Sequence, residues 1–261
     1  MTDLAATNQA PEQTSSTIAQ QAQGTKAQPE RLYGRHRSHP LRARQAVLME
    51  RALPRMRLAD PAHPLAGMKG SAGQTPRELY LEIGFGGGEH ARAQAALHPD
   101  AGYIASEVFE NGICSLLSAL VPEGQEETSP PPPNLRLWPD DARALLDELP
   151  AQCLDRAYLM FPDPWPKARH AKRRFIHPDN LKRLARLLKP GSMFRIASDH
   201  PVYQQWVDEV MALLESQALF TLTSRSEGPE RPEGWSPTRY EAKARAAGRQ
   251  PFYWTFMRAK V

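Results

Sequence analysis

Strand-like and helix-like segments alternate along the chain from residue 78 onward. Short apolar runs suited to buried strands are followed by segments whose apolar residues recur at helical spacing. The pattern predicts strands at 78–83, 102–108, 134–138, 154–161, 192–198, 218–224 and 252–259. It predicts helices at 39–56, 89–98, 109–120, 141–149, 177–191 and 202–216. Such alternation indicates an α/β fold with a doubly wound, mostly parallel, seven-stranded sheet and helices on both faces. The two late strands suggest one antiparallel member near a sheet edge.

The ends and breaks of this pattern define the domain organisation. Residues 1–30 are polar, lack the apolar stretch of a secretory signal, and are predicted to be a disordered tail. Residues 31–261 are predicted to form one domain, which includes a basic N-terminal segment at 31–57 and a Pro-rich surface insertion at 122–133. Nowhere does a run of about 18 apolar residues occur, so no membrane segment is expected.

Cysteine and histidine usage excludes two further classes of protein. The chain has 2 cysteines and 8 histidines, and none of them stands at the spacing of a zinc site or a disulfide framework. We therefore predict no bound metal and a reducing, cytoplasmic environment.

Basic residues are concentrated in two segments, although the net charge is only +4. Residues 31–57 hold eight arginines against the single acid Glu50, and residues 167–189 hold nine lysines and arginines against Asp179. A run of charge is most often a solvated helix face, but such faces usually intersperse the two signs. Two basic patches on an otherwise acidic body favour a polyanion as partner.

A glycine-rich turn follows the first predicted strand in "LEIGFGGGEH" (81–90). A dinucleotide fingerprint would need its third glycine at Glu89, where an acid would repel a pyrophosphate, and this disfavours a nicotinamide oxidoreductase. S-adenosylmethionine carries an ammonium group and no phosphate. The carboxylate of Glu82 can serve that ammonium, while Gly84 and Gly86 allow the backbone to approach the ligand closely.

Two more acids follow the next two predicted strands. Glu107 lies 23 residues beyond Gly84, where nucleoside-binding sheets place a carboxylate on the ribose hydroxyls. Asp141 follows the third strand and could accept a hydrogen bond from the adenine amino group, or it could only cap its helix. Ligands of such sheets bind beyond the carboxyl ends of the strands, so Glu82, Glu107 and Asp141 are predicted to form an S-adenosylmethionine site.

The chain resembles the bacterial tRNA (guanine-N7)-methyltransferases, which have the Rossmann-like class I methyltransferase fold. The resemblance covers about residues 31–261 and rests on five stretches: "YLEIGFGGGEH", "ASEVFENGI", "FPDPWPKARHAKRRF", "RIASDH" and "TRYEAKARAAGRQPFYWTFMR". The segment "LYGRHRSHPLRARQ" is also similar to an arginine-rich N-terminal segment of some members. The tail and the 122–133 insertion depart from the family and lie outside these motifs.

The resemblance implies methyl transfer from S-adenosylmethionine to N7 of guanine 46 in the variable loop of tRNA. It implies a catalytic and cofactor-contacting role for Asp163 and substrate contacts from Lys167, Asp199, Thr238, Arg239, Tyr240 and Glu241. The remaining basic residues of the motif are expected to line the RNA path: Arg169, Lys172, Arg173 and Arg174. "TRYE" (238–241) also fits a helix capping box, which is compatible with substrate contact. Whether the enzyme is a monomer or a homodimer stays open.

The chemistry of the motif agrees with this activity. Guanine N7 has a lone pair and no proton, so the reaction needs positioning rather than a general base. Asp163, fixed between Pro162 and Pro164, can hold the guanine N1–H and amino group and offset the positive charge that develops on the ring. Trp165 stacks on the base or packs the loop. A small-molecule methyltransferase of the same fold and a non-enzymatic RNA-binding protein are the alternatives.

Overall fold

The computed structural model describes residues 36–228 and 230–260, so the tail predicted at 1–30 lies outside the described residues. The seven strands are β1 (Glu78–Ile83), β2 (Ala101–Ser106), β3 (Leu135–Trp138), β4 (Leu154–Met160), β5 (Leu188–Ser198), β6 (Phe220–Glu227) and β7 (Phe252–Arg258). The helices are α1 (Ala43–Val47), α2 (Leu53–Met56), α3 (Glu89–Leu97), α4 (Glu110–Leu120), α5 (Ala142–Glu148), α6 (Pro178–Leu187), α7 (Pro201–Ser216) and α8 (Arg239–Ala246). A π-helical turn, Leu48–Ala52, joins α1 to α2, and a 3₁₀ helix spans Ala168–Arg173.

The seven strands form a mixed sheet in the order β3-β2-β1-β4-β5-β7-β6. The four pairings among β1 to β5 are parallel, whereas β7 pairs antiparallel with both β5 and β6. The predicted antiparallel member is therefore β7, which inserts between β5 and the edge strand β6. The predicted seven strands and mainly parallel order are confirmed.

The strand order reverses between β1 and β4. From β1 the chain moves outward through α3, β2 and α4 to β3, and it then returns through α5 to β4 and continues outward on the other side. Crossovers between parallel strands are right-handed as a rule, and with this strand order the rule places the helices of the two halves on opposite faces of the sheet. In open sheets of this kind, the point of reversal leaves a crevice at the carboxyl ends of the strands, and ligands bind there.

The helix predicted at 177–191 ends earlier than its local signals indicate. α6 stops at Leu187, and residues Leu188–Ser198 form β5, in which Leu188 pairs with Leu154 of β4. Lys189, Pro190 and Gly191, which were expected to close the helix, belong to the strand. Pairing with β4 outweighs the local helix preference of this stretch, and burial of Leu188 in the core accompanies it.

The basic N-terminal segment forms a helical stretch that holds the Pro-rich segment 122–133. Arg44 pairs with Glu126 at 2.8 Å, and Arg55 donates to the carbonyl oxygens of Glu126 and Ser129 at 2.7 and 3.2 Å. Pro54 has no backbone N–H, so it cannot bond to a carbonyl one turn earlier, and the π-helical turn precedes it. Across the described ranges, no helix combines the length and the apolar character needed to cross a bilayer.

Candidate active site at the carboxyl edge of the sheet

A cavity of about 510 Å³ lies where the strand order reverses. Its walls come from the carboxyl ends of β1 and β4, the glycine turn after β1, the segment Glu107–Phe109 after β2, and residues 161–165 after β4. Arg173, Phe175 and Tyr240 of α8 complete the lining. The structure thus brings Gly84, Glu107 and Asp163 together, as the sequence predicted from their positions at strand ends.

The glycine turn needs glycine for two different reasons. Gly84, Gly86 and Gly88 have φ of 71°, 58° and 81°, which is the left-handed region that other residues rarely adopt. A Cβ on Gly86 would stand 2.6 Å from Cε2 of Tyr240, whereas a Cβ on Gly84 would meet nothing within 4 Å. The turn therefore faces open space at Gly84 and is covered by α8 at Gly86.

Glu82 lies beneath this turn and is almost completely buried. Its Oε2 accepts hydrogen bonds from Nδ1 of His90 at 2.9 Å and from the hydroxyl of Tyr103 at 2.7 Å. Burial and the neighbouring Glu82 carboxylate raise the pKa of Tyr103 well above its ordinary value, so the hydroxyl stays a donor. Glu82 does not line the cavity, but Ile83 and Gly84, which follow it, do. His90 and Tyr103 are partners that the sequence reading missed.

Glu107 is the buried carboxylate of the cavity. Its Oε2 accepts from the backbone N–H of Gly86 at 2.7 Å, and its Oε1 accepts from those of Val108 and Phe109 at 2.8 and 3.0 Å. Burial raises the pKa of Glu107, the three backbone donors oppose that rise, and the charge of Asp163 adds to it. The side chain thus fixes the glycine turn against the end of β2, and its two oxygens retain an acceptor position for a ligand hydroxyl.

Asp163 occupies a strained turn that leads out of β4. Phe161 and Trp165 have φ of 52° and 42°, values that non-glycine residues adopt only when their surroundings enforce them. The side chain of Asp163 is exposed at the mouth of the cavity. The ring of Trp165 lines the cavity and also packs within the loop, with the guanidinium of Arg173 4.9 Å from its centroid. The loop-packing alternative is thus observed, and stacking of Trp165 on the base stays a prediction.

The other predicted acids lie outside the cavity lining. Asp141 is the N-cap of α5, where Oδ1 accepts from the backbone of Arg143 at 2.9 Å and the Arg143 guanidinium pairs with Oδ2 at 2.5 Å. The capping alternative is thus observed. Asp199, just beyond β5, pairs with Arg249 at 2.6 Å.

The four residues of "TRYE" have different roles: Thr238 and Glu241 stabilise the start of α8, and Tyr240 lines the cavity. Thr238 caps α8 by accepting from the backbone N–H of Glu241 at 3.0 Å, as the capping box predicted. The Glu241 carboxylate is 2% exposed and, instead of returning to Thr238, pairs with Arg231 and Arg245 at 2.9 and 2.6 Å. Arg239 stacks on the ring of Tyr240, and that ring covers Gly86. Tyr240 is the member of the motif that reaches the cavity.

The basic residues after the turn differ in exposure. Lys167, Arg169 and Lys172 are exposed, whereas Arg173 is half-buried at the cavity. Arg174 is only 5% exposed and donates to backbone carbonyls of the loop itself. The sequence predicts that Arg174 lies on the RNA path together with its basic neighbours, whereas the structure buries Arg174 inside the loop.

An N-terminal strap, residues 36–39, is held against the start of α4, a contact that the sequence did not predict. The backbone N–H of Ser38 donates to Oδ1 of Asn111 at 2.9 Å, and the Asn111 side chain donates to the carbonyl of His39 at 3.3 Å. The backbone N–H of Glu110 donates to the carbonyl of His36 at 2.8 Å. These contacts hold the strap to the first turn of α4, directly after Phe109. Within the described ranges, no group of three or more histidine, cysteine or acidic residues is arranged to hold a metal ion.

Comparison with solved structures supports the fold. The structure of the 16S rRNA methyltransferase KamB aligns with a TM-score of 0.51 at 15% sequence identity, covering 71% of this chain and 89% of that chain. At that identity the likeness concerns the fold alone.

Comparison with known sequences assigns the family. A family model described as "Putative methyltransferase" matches residues 76–253. The tRNA (guanine-N(7)-)-methyltransferase of Granulibacter bethesdensis is 61% identical over 234 residues, which cover 89% of this chain and 97% of the relative. That of Rhodospirillum rubrum is 44% identical over 237 residues, covering 87% of this chain and 88% of the relative. The glycine turn, the buried Glu107 and the Asp163 turn meet at one cavity in this chain. Its identity to these relatives shows that the chain belongs to the tRNA (guanine-N7)-methyltransferase family.

Proposed function

We propose that this protein transfers a methyl group from S-adenosylmethionine to N7 of guanine 46 in the variable loop of tRNA. The observation that carries the proposal is the cavity at the strand reversal, which joins Gly84, Glu107 and Asp163 in a chain of this family. An acidic, glycine-lined cleft suits a cationic nucleoside co-substrate, and the exposed basic residues beside it suit an RNA. The tRNA substrate places the proposed activity in the cytoplasm.

The residues of the cavity fit S-adenosylmethionine. The volume lies within the range of small-molecule sites, which is about 300–1,000 Å³. Gly84 leaves open space beside its backbone, and Glu107 can accept from a ribose hydroxyl in addition to its three backbone donors. Glu82 is buried outside the cavity lining, so its proposed contact with the ammonium group requires the ligand to reach past Ile83 and Gly84 to Oε1, which is free of hydrogen bonds among the described residues. Asp141 would reach the adenine amino group only by sharing an oxygen with Arg143.

The methyl transfer itself requires alignment and charge stabilisation. S-adenosylmethionine supplies the methyl group on a sulfonium: the N7 lone pair forms the new C–N bond as the C–S bond breaks, and the positive charge passes to the guanine ring. Asp163 would orient the base through its N1–H and amino group and stabilise that charge. Lys167 and Asp199 would contact the target nucleotide. Asp199 would do so while its carboxylate remains paired with Arg249.

The tRNA would approach across the exposed face of the 3₁₀ helix. Lys167, Arg169 and Lys172 are exposed there, and Arg173 extends the positive surface to the cavity. Arg239 and Tyr240 would border the guanine from α8. We propose that residues 31–261 form one methyltransferase domain, in which 122–133 is a surface insertion held by Arg44 and Arg55.

Mass spectrometry of nucleosides tests the proposal directly. Unmodified tRNA transcript is incubated with the protein and S-adenosylmethionine, digested, and analysed for 7-methylguanosine. We expect that nucleoside with wild-type transcript and its loss with a transcript that carries adenine in place of guanine 46. Methylation at another atom, or equal yield from both transcripts, would contradict the assignment. Methylation of free guanosine at the same rate as tRNA would favour a small-molecule enzyme.

A further inference from the structure

Arg174 is a buried cation whose hydrogen bonds are directed at the turn that carries Asp163. Its Nε donates to the carbonyl oxygen of Pro164 at 3.2 Å, and its Nη2 donates to that of Trp165 at 3.0 Å. These carbonyls belong to the two residues that directly follow Asp163. The planar fork of a guanidinium can span two adjacent carbonyls, whereas a lysine ammonium is a point charge.

The opposite side of the guanidinium rests on α7. The guanidinium carbon stands 4.7 Å from the ring centroid of Trp206, and the indole Nε1 of Trp206 donates to the carbonyl of Ile176. Among the described residues no carboxylate forms an ion pair with Arg174, so its charge is stabilised by carbonyl dipoles and by the aromatic face. Burying a cation without a carboxylate partner is costly. We therefore expect the buried guanidinium to have a specific role in the structure.

The turn itself needs support from outside. The positive φ values of Phe161 and Trp165 are strained for residues other than glycine, and they persist only when the surroundings enforce them. Pro162 and Pro164 restrict the residues on either side of Asp163 but do not anchor the turn to the rest of the fold. The contacts of Arg174 provide that anchor, because they connect the carbonyls of the turn to α7.

From these contacts we infer that Arg174 is a positioning residue, which holds the turn 163–165 so that Asp163 faces the cavity. The inference rests on the proposed role of Asp163 in methyl transfer. It assigns Arg174 a function different from that of Lys167, Arg169 and Lys172, since a side chain that is 5% exposed does not reach a phosphate at the surface. Arg174 acts on the alignment of the reacting groups and leaves the affinity for RNA unchanged.

The test compares Arg174→Lys with Arg258→Lys. Arg258 is also partly buried and donates to backbone carbonyls, those of Ala185 and Leu219 at 2.9 and 3.1 Å, but it lies at the far end of β7 from the cavity. Both variants lose a guanidinium fork, so both are expected to unfold at a somewhat lower temperature. Only Arg174→Lys should slow single-turnover methylation at saturating tRNA, by roughly tenfold to a hundredfold, as expected for a small misplacement of a reacting group.

Binding measurements separate this role from a phosphate contact. For Arg174→Lys we expect wild-type affinity for S-adenosylhomocysteine and for tRNA, with an unchanged salt dependence of tRNA binding. A salt slope lower by about 0.7–0.9 would mean a lost phosphate contact and would overturn the inference. Turnover equal to that of wild type would overturn it as well. If wild-type protein does not methylate guanine N7 at all, the proposed function fails first, and this is seen without any variant.

A second variant covers the case in which Arg174→Lys does not fold. Trp206→Leu removes the aromatic face beneath the guanidinium and leaves the arginine in place. We expect slower turnover with unchanged affinity for both substrates, and unchanged turnover in a folded Trp206→Leu protein counts against the inference.

Discussion

Replacing Asp163 by asparagine tests whether its negative charge supports the reaction. The amide keeps the shape of the side chain, and its oxygen can still accept one hydrogen bond from guanine. What disappears is the attraction between the carboxylate and the positive charge that grows on the alkylated ring. We therefore expect Asp163→Asn to bind both substrates and to methylate slowly.

The size of the effect follows from the exposure of the side chain. Two unit charges about 4 Å apart interact by about 4 kcal/mol at an effective dielectric constant near 20 and by about 1 kcal/mol in bulk water. Asp163 is exposed in the protein alone, but it lines a cavity that a bound guanine would close. An intermediate loss of about 2–3 kcal/mol corresponds to a rate roughly 30-fold to 150-fold lower.

Single-turnover methyl transfer with saturating tRNA is the assay, because it isolates the chemical step from binding and release. Asp140→Asn is the matched control: it removes an exposed charge at the same edge of the sheet, outside the cavity lining. A near-wild-type rate for Asp163→Asn would restrict the residue to hydrogen bonding. Loss of S-adenosylhomocysteine affinity alone would make it a ligand contact. Either result would refute the charge argument.

Three further predictions concern binding and stability. Glu107→Gln should abolish the rise in melting temperature that S-adenosylhomocysteine produces by mass action, whereas an unchanged rise would remove Glu107 from the site. Replacing Arg169 and Lys172 by alanine should lower the salt slope of tRNA binding by about 0.7–0.9 per lost phosphate contact and leave co-substrate affinity intact, and an identical slope would identify an ordinary solvated face. Burial alone would raise the pKa of Glu241, but hydrogen bonds from Arg231 and Arg245 outweigh it and hold that pKa below the ordinary 4.5. Its stabilisation is therefore present above that pH and lost as pH falls through the lowered pKa, so urea unfolding should find Glu241→Gln less stable than wild type by about 1–3 kcal/mol at pH 7, with the difference shrinking as the pH falls below 4.5.

The strands along the chain, their mainly parallel arrangement and the place of the cavity were predictable from local pattern and from the general behaviour of parallel sheets. Apolar runs define β1 to β5, and parallel strands bring their carboxyl ends to one edge, so Glu107 and Asp163 had to meet. The start of β5 at Leu188 was not predictable, since it depends on pairing with Leu154, a partner distant in sequence.

The roles of individual charges were harder to predict than their positions. The sequence shows Arg173 and Arg174 as equal neighbours, yet one borders the cavity and the other is covered by Trp206. Tertiary packing decides which side of a short turn faces inward. The local spacing of residues in the sequence does not predict that orientation. The same holds for Glu241, whose two arginine partners come from either side of it in the sequence.

The contact between Tyr240 and Gly86 has a thermodynamic consequence. One ring forms a wall of the cavity and also belongs to the motif proposed to border the guanine, so in the proposed function the two substrates would share a boundary. If filling the cavity shifts this ring, the first ligand changes the affinity for the second, and linkage requires the reverse effect to have the same magnitude.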